Sequence, residues 1–289
     1  MTSDPVLFPP ELLAAAGMFR VTPAKGGAPF SSGRHRSPRR GESAEFQDFR
    51  SYAPGDDLRR VDWNIYRRFH RLLIRQYRDF PRMKHLVILD DTASIRCRPA
   101  RAFLAWRLAL LICGTLLANG DCTALQIGEK GRRRIFAPGS VPSAPLVAEL
   151  LESFGRKTPG DALSFGIPPG VRAWVISDFM DPRGLDHLEM CLRRSRGFTP
   201  VRVFEQSEIH PEPAAEMRLI DAESGAEVTV SPGQFRLASY RERLARFERL
   251  LAIPARRAGS RVHAFDAALG APELLRQCAD TLFQGGGTK

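Results

Sequence analysis

Cysteine is scarce in this 289-residue sequence. The five residues, Cys97, Cys113, Cys122, Cys191 and Cys278, are odd in number and nowhere spaced as Cys-x-x-Cys. Neither a disulfide framework nor a zinc knuckle is indicated, and reduced thiols in a cytosolic protein are expected. Histidine is equally thin. The six, at 35, 70, 85, 187, 210 and 263, follow no catalytic spacing, and no Gly-x-Ser-x-Gly elbow accompanies them, which removes the commonest nucleophilic triad. His187 and Cys191 lie four apart with Asp186 and Glu189 nearby and imitate a metal site, as helical surfaces do by chance. The tail from Gly285 to Lys289 lacks Walker A spacing and reads as flexible.

Long apolar runs are few as well. The first thirty residues show no basic start followed by an apolar stretch, so no secretory signal is read. The membrane candidate is Ala102 to Ala118, but Arg107 interrupts it and its length is at the bottom of the spanning range, about 17 residues. A buried helix against a sheet explains it better, and no membrane segment is expected. What the chain does hold is 43% apolar residues, enough for a real core, and a net charge of +11 with a pI near 10.1. The excess is uneven: residues 34–84 carry 14 Arg or Lys against 7 Asp or Glu. That could form a basic face toward an acidic partner or nucleic acid. No nucleic-acid reading motif is present, however, and the arginines alternate with carboxylates able to pair with them.

The chain is organised around His85 to Ser94, His-Leu-Val-Ile-Leu-Asp-Asp-Thr-Ala-Ser. Leu86, Val87, Ile88 and Leu89 have the length and branching of a fully buried strand in a parallel sheet, and the run stops at two carboxylates. Ligands of open α/β sheets bind at that end of a strand. Asp90, Thr92 and Ser94 place a carboxylate and two hydroxyls at alternate positions, which a tight loop can turn toward one point. Such hard oxygen donors suit Mg²⁺, with Mn²⁺ as the second choice. The other reading is a strand ending in a polar loop where Asp90 or Asp91 caps the next helix.

A helix is expected from Pro10 to Phe19 and an irregular loop from Val21 to Glu42. Pro54-Gly55 makes a turn, Asp56 or Asp57 caps a short helix after it, and Phe46, Phe49, Tyr52 and Trp63 supply anchors. Residues 71–78 alternate as a strand, expected beside the core sheet. Further on, the pattern predicts helices over 102–117, 144–154, 185–194, 235–251 and 272–282. Strands are predicted over 122–127, 132–136, 171–177, 201–205 and 262–265, with a β-hairpin at about 214–231 turning through Glu223-Ser224-Gly225. This alternation is that of a doubly wound α/β fold with a mostly parallel sheet, residues 1–80 forming an extension and 81–284 the main domain. In that fold the strands that end in Asp90 and Asp178 lie side by side.

Asp90-x-Thr92-x-Ser94 resembles the Asp-x-Ser-x-Ser metal-ion-dependent adhesion site of von Willebrand factor A (vWA) domains, with Thr92 where that family usually has Ser. Gly120-Asp121 is similar to the Gly-Asp before their second strand, and Asp178 matches their second acidic position, which acts through water. Lys157 to Asp161 sits where a third hydroxyl ligand is presented, usually within Gly-Thr-Asp. Thr158 is two residues early, so a degenerate site is the alternative. The run Gly33-Arg34-His35-Arg36-Ser37, Arg40-Gly41, Glu45-Phe46, Arg50-Ser51-Tyr52, Pro54-Gly55-Asp56-Asp57, Arg59-Arg60 and Asp62-Trp63 closely resembles the signature of a bacterial family. That family is catalogued as domain of unknown function 58, and in it the signature precedes a vWA-like domain. The turn Asp221 to Gly225, Asp-x-Glu-Ser-Gly, is similar to one in the same family.

The resemblance implies a vWA-like, Rossmann-like fold and a Mg²⁺ site at Asp90, Thr92, Ser94 and Asp178 with Thr158. It also implies an interaction signature of Arg50, Tyr52, Gly55, Asp56, Asp57, Arg60, Asp62 and Trp63. The partner implied is a MoxR-type AAA+ ATPase, in chaperone-like maturation or assembly of other proteins. Many relatives carry an N-terminal membrane hairpin; none is read here, and a cytoplasmic protein is expected. A Mg²⁺ held by two neutral hydroxyls, with its acids acting through water, stays electron-poor and keeps a position that another protein's acidic side chain can fill. No general base is poised nearby in sequence, so a non-catalytic adaptor is expected, with a metal-dependent hydrolase at the same edge as the second reading. Asp56, Asp57 and Asp62 read as an ion-paired latch with Arg50, Arg59 and Arg60.

Overall fold

The structure is a computed structural model that describes residues 6–19, 45–54, 56, 61–78, 84–128, 133–138, 143–156, 159, 166–211, 217–230 and 237–283. Its elements begin with α1 (Pro10–Ala15), β1 (Glu45–Ser51), α2 (Trp63–Phe69), β2 (Leu73–Arg78), β3 (Lys84–Leu89), α3 (Ala93–Arg96) and α4 (Pro99–Ala118). They continue with β4 (Cys122–Ile127), β5 (Arg134–Phe136), α5 (Ala144–Phe154), β6 (Arg172–Ser177), α6 (Leu185–Arg194), β7 (Thr199–Phe204) and α7 (Gln206–Ile209). The last are β8 (Met217–Ile220), β9 (Glu227–Val230), α8 (Leu237–Arg257), β10 (His263–Asp266) and α9 (Ala271–Thr281). Two compact units result, one of residues 1–29 with 83–289 and one of 30–82.

The larger unit is built on a six-stranded sheet in the order β10-β7-β6-β3-β4-β5, parallel except for β5, which runs antiparallel to β4. From the β5 edge, with the sheet's strands counted along the chain, this is the doubly wound order 3-2-1-4-5-6, and it reverses between β3 and β6. Alternation in β3 sends side chains to both faces. Val87 and Leu89 enter a core with α1, α4, α5 and α9, while Leu86 and Ile88 enter a second core with α6 and α8. Both faces of the strand are covered, which is why its apolar run is unbroken.

Helix α4 is apolar on nearly every side and is accordingly buried on nearly every side. By length and composition it could cross a membrane, yet most of it lies inside this fold. Arg107, its one mid-helix charge, donates from Nε to the Leu7 carbonyl at 2.8 Å and from Nη2 to the Val6 carbonyl at 2.8 Å. These bonds tie the segment leading into α1 to the main body, and Leu12 of α1 is fully buried in its core. The expected 1–80 extension is therefore divided, with α1 joining the larger unit.

In the smaller unit β1 and β2 pair antiparallel, with a register shift between Phe46 and Asp48, and Val61 bridges to Ile74. The strand expected beside the core sheet thus forms a sheet of its own with β1. The cap of the short helix is Asp62 rather than Asp56 or Asp57: its carboxylate accepts from the amides of Asn64 at 2.9 Å and Ile65 at 3.2 Å. Trp63 is 55% exposed and meets Tyr66 edge-on, so it does not anchor this unit. The expected latch is present in part. Arg50 holds Asp56 through both terminal nitrogens, at 2.5 and 2.7 Å. Gly55, Asp57, Arg59, Arg60 and Thr158, and the tail from Gly285, fall outside the described residues.

The hairpin of β8 and β9 pairs Met217 with Val230 and Ile220 with Glu227. Gly225 closes its turn at φ 71°, a left-handed conformation that costs glycine nothing.

Candidate metal centre

Leu89 pairs with Ile176 in register, and the Asp90 amide donates to the Ile176 carbonyl at 2.9 Å, carrying the ladder one residue past β3. Asp90 and Asp178 consequently leave adjacent strands at the point where the sheet order reverses, and both are buried, at 2% and 1% exposure. Asp90 Oδ1 accepts from the Thr92 amide at 3.0 Å, and Oδ2 accepts from the Ser177 hydroxyl at 2.5 Å. The same Ser177 oxygen accepts from the Phe179 amide at 2.7 Å. Phe179 holds φ at 59°, which a bulky L residue rarely adopts; strain of this kind gathers at functional sites. The hydroxyls of Thr92 and Ser94 stand 3.0 Å apart. The helix-capping alternative is partly realised, since Asp90 does hold the Thr92 amide, but the residue at the start of α3 is Thr92 itself.

Asp178 Oδ1 accepts from the Met180 amide at 3.0 Å, and Oδ2 takes Arg101 Nη1 at 3.0 Å. Arg101 Nη1 also reaches the Ser94 carbonyl at 3.2 Å, and its Nη2 pairs with Glu208. One buried guanidinium thereby joins the segments that follow β3, β6 and β7. Asp91 has a different fate: it pairs with Arg96, which lies 5.0 Å over the Trp106 ring and donates to the carbonyls of Ser153, Phe154 and Arg156.

Burial, then repulsion from Asp178, pushes the Asp90 carboxyl up to about 7, against the pull of its bonds to Ser177 and Thr92. Burial draws the Arg101 guanidinium down, and Glu208, Asp178 and Glu205 more than reverse it. Asp90 is left as the buried acid whose described partners are all neutral donors. Beside it opens a cleft with about 30 Å³ accessible to water, lined by Asp90, Thr92, Ser177, Asp181, Leu188 and Glu223 among others. That is room for at least a cation or a water. A carboxylate with no positive partner among the described residues, next to paired hydroxyls, is a hard-oxygen donor set that fits Mg²⁺ or Mn²⁺. Asp178 fits less directly, because Arg101 occupies one of its oxygens.

The second cluster read from sequence has a different membership. His187 Nδ1 bonds Asp181 Oδ2 at 2.7 Å, and Cys191 Sγ lies 3.6 Å from the same nitrogen. Asp186 and Glu189 are engaged instead by Arg246, at 2.6 and 2.7 Å.

A family model described as Protein of unknown function DUF58 matches residues 48–249, well over half of the chain. The chain belongs to this family. No curated protein and no solved structure matches it. The span shared with other DUF58 proteins contains every residue of the strand-end cluster, together with three participants that sequence reasoning left out: Arg101, Glu208 and Glu223. Ser177 was also missed, although a hydroxyl directly before Asp178 at the end of a buried strand is a readable signal. Glu223 lies within the Asp221 to Gly225 turn. Its Oε1 accepts from the Ser94 amide at 3.0 Å, across 129 positions of sequence.

Proposed function

We propose that this DUF58 protein is a non-catalytic adaptor of the vWA type, which binds an acidic side chain of a partner protein through a divalent cation at the ends of β3 and β6. The observation that carries this reading is Asp90: an acid 2% exposed, at the reversal of the strand order, bonded to neutral donors and flanked by the Thr92 and Ser94 hydroxyls. Asp90, Thr92 and Ser94 would hold Mg²⁺, with Asp178 behind them. The cation supplies a hard positive centre for a carboxylate. The chain's own residues do the positioning. Ser177 orients Asp90, and Arg101 ties the Ser94 carbonyl to Asp178 so that the two strand-end loops cannot drift apart. The partner we propose is a MoxR-type AAA+ ATPase, with protein maturation or assembly as the setting.

Capture of the purified ATPase on immobilised protein tests this. Capture in Mg²⁺ should fall at least tenfold in EDTA and fall equally in Asp90→Ala, with the fold retained by circular dichroism. Capture unchanged by both treatments contradicts a cation-dependent adaptor. Phosphatase, nuclease or peptidase turnover that disappears in Asp178→Ala would favour a hydrolase instead.

A further inference from the structure

The β8–β9 hairpin is exposed along most of its length, with Leu219, Ile220 and Val228 between 48% and 60% accessible. Two four-residue strands are marginal on their own, yet the turn between them is firmly built. Asp221 Oδ1 accepts from the amides of Glu223 at 2.9 Å and Ser224 at 2.7 Å and from the Ser224 hydroxyl at 2.9 Å; the Asp221 amide bonds the Ala226 carbonyl at 2.8 Å. This bracing fixes the direction in which Glu223 leaves the turn. Although Glu223 is an exposed residue, its carboxylate turns back to the strand ends: Oε1 takes the Ser94 amide, and the side chain lines the cleft shared by Asp90, Thr92 and Ser177.

That direction brings a third carboxylate to a cleft already lined by Asp90 and Asp181, while Arg183, which also lines it, serves Asp181. Like charges brought together in a partly buried cleft repel unless something positive lies between them. A divalent cation reverses the sign of that interaction. With one oxygen held by the Ser94 amide, the second is the natural donor to such an ion.

We propose that Glu223 is the cation site's own carboxylate ligand: the β8–β9 hairpin closes over the site in the free protein, and an acidic side chain of a partner binds by displacing it. The proposal rests on the cation reading above, and the experiment keeps the two apart. Mn²⁺ affinity is measured by calorimetry on the full chain and on Glu223→Gln and Asp90→Ala, together with hydrogen–deuterium exchange of residues 217–230 with and without Mn²⁺. The expected result is 3- to 30-fold weaker Mn²⁺ binding in Glu223→Gln, and a hairpin whose exchange Mn²⁺ slows in the wild type but not in that variant. Glu223 is exposed at a hairpin turn, so the variant keeps its fold. Equal affinity with no change in hairpin exchange overturns the role of Glu223 while leaving the cation site intact. Absence of Mn²⁺ binding in the wild type overturns both.

Discussion

At the scale of single residues, the account turns on how differently neighbouring acids are treated. Asp91 has Arg96 and Asp178 has Arg101, whereas among the described residues Asp90 has only hydroxyl and amide donors. Removing its charge should therefore help the metal-free protein. In EDTA at pH 8, Asp90→Asn is expected to match or exceed the wild type by up to about 2 kcal/mol in chemical denaturation, because a buried unpaired charge is costly. The same variant should lose any stabilisation by Mg²⁺. A loss of several kcal/mol in EDTA would mean that the charge itself supports the fold. His263 gives a separate test through pH. Burial, aided by Arg261, lowers its imidazole to about 4, and its Nδ1 has no hydrogen-bond partner among the described residues. The unfolded chain takes up this proton near pH 6.5 and the folded chain only near 4, so stability is constant above about 6.5 and falls as pH drops through that window. Between pH 7.5 and 5 this one site should remove about 2 kcal/mol, and His263→Gln should flatten the slope by one proton. Asp90 and Asp178 were legible at this scale because each ends an apolar run. Arg101, Glu208 and Glu223 were not, since no spacing links Arg101 to Asp178 and Glu208, or Glu223 to Ser94, across 77 to 129 positions.

At the scale of elements, local pattern was a good guide for most elements with a buried face, although α8 continues past the expected end at Leu251 to Arg257, with Pro254 inside it, and α1 stops at Ala15 rather than Phe19. The helices 144–154 and 185–194 and the strands 122–127 and 171–177 fall within a residue of where apolar spacing puts them. In the smaller unit it was right about the strand over 71–78, which is β2, and about a short helix, but it missed β1, whose residues it took as aromatic anchors. Because α2 buries none of its residues, no apolar stripe fixed where that helix begins. Some contacts between elements need a particular residue. Gly197, just before β7, lies where an added Cβ would sit 2.5 Å from the Ala258 nitrogen and 2.6 Å from the Arg257 carbonyl carbon, both backbone atoms. Gly197→Ala must push the end of α8 away from the sheet. A loss of about 1–3 kcal/mol is expected in thermal or urea unfolding. A neutral result would show that this approach is looser than described.

At the scale of the whole molecule, the alternation of elements announced a doubly wound sheet, but the strand order comes from pairings that no local window contains. The order 3-2-1-4-5-6 is what makes β3 and β6 neighbours and opens a cleft between their ends. Had β4 lain between them, Asp90 and Asp178 would stand about 10 Å apart across the sheet, two strand spacings rather than one. The central claim is that this cleft binds a divalent cation, and calorimetric titration of the chelator-stripped protein with Mg²⁺ and then Mn²⁺ tests it most directly. One site per chain is predicted, with Mn²⁺ tighter than Mg²⁺ and both signals lost in Asp90→Ala. Heat indistinguishable from dilution for both ions, in protein shown to be folded, would contradict it.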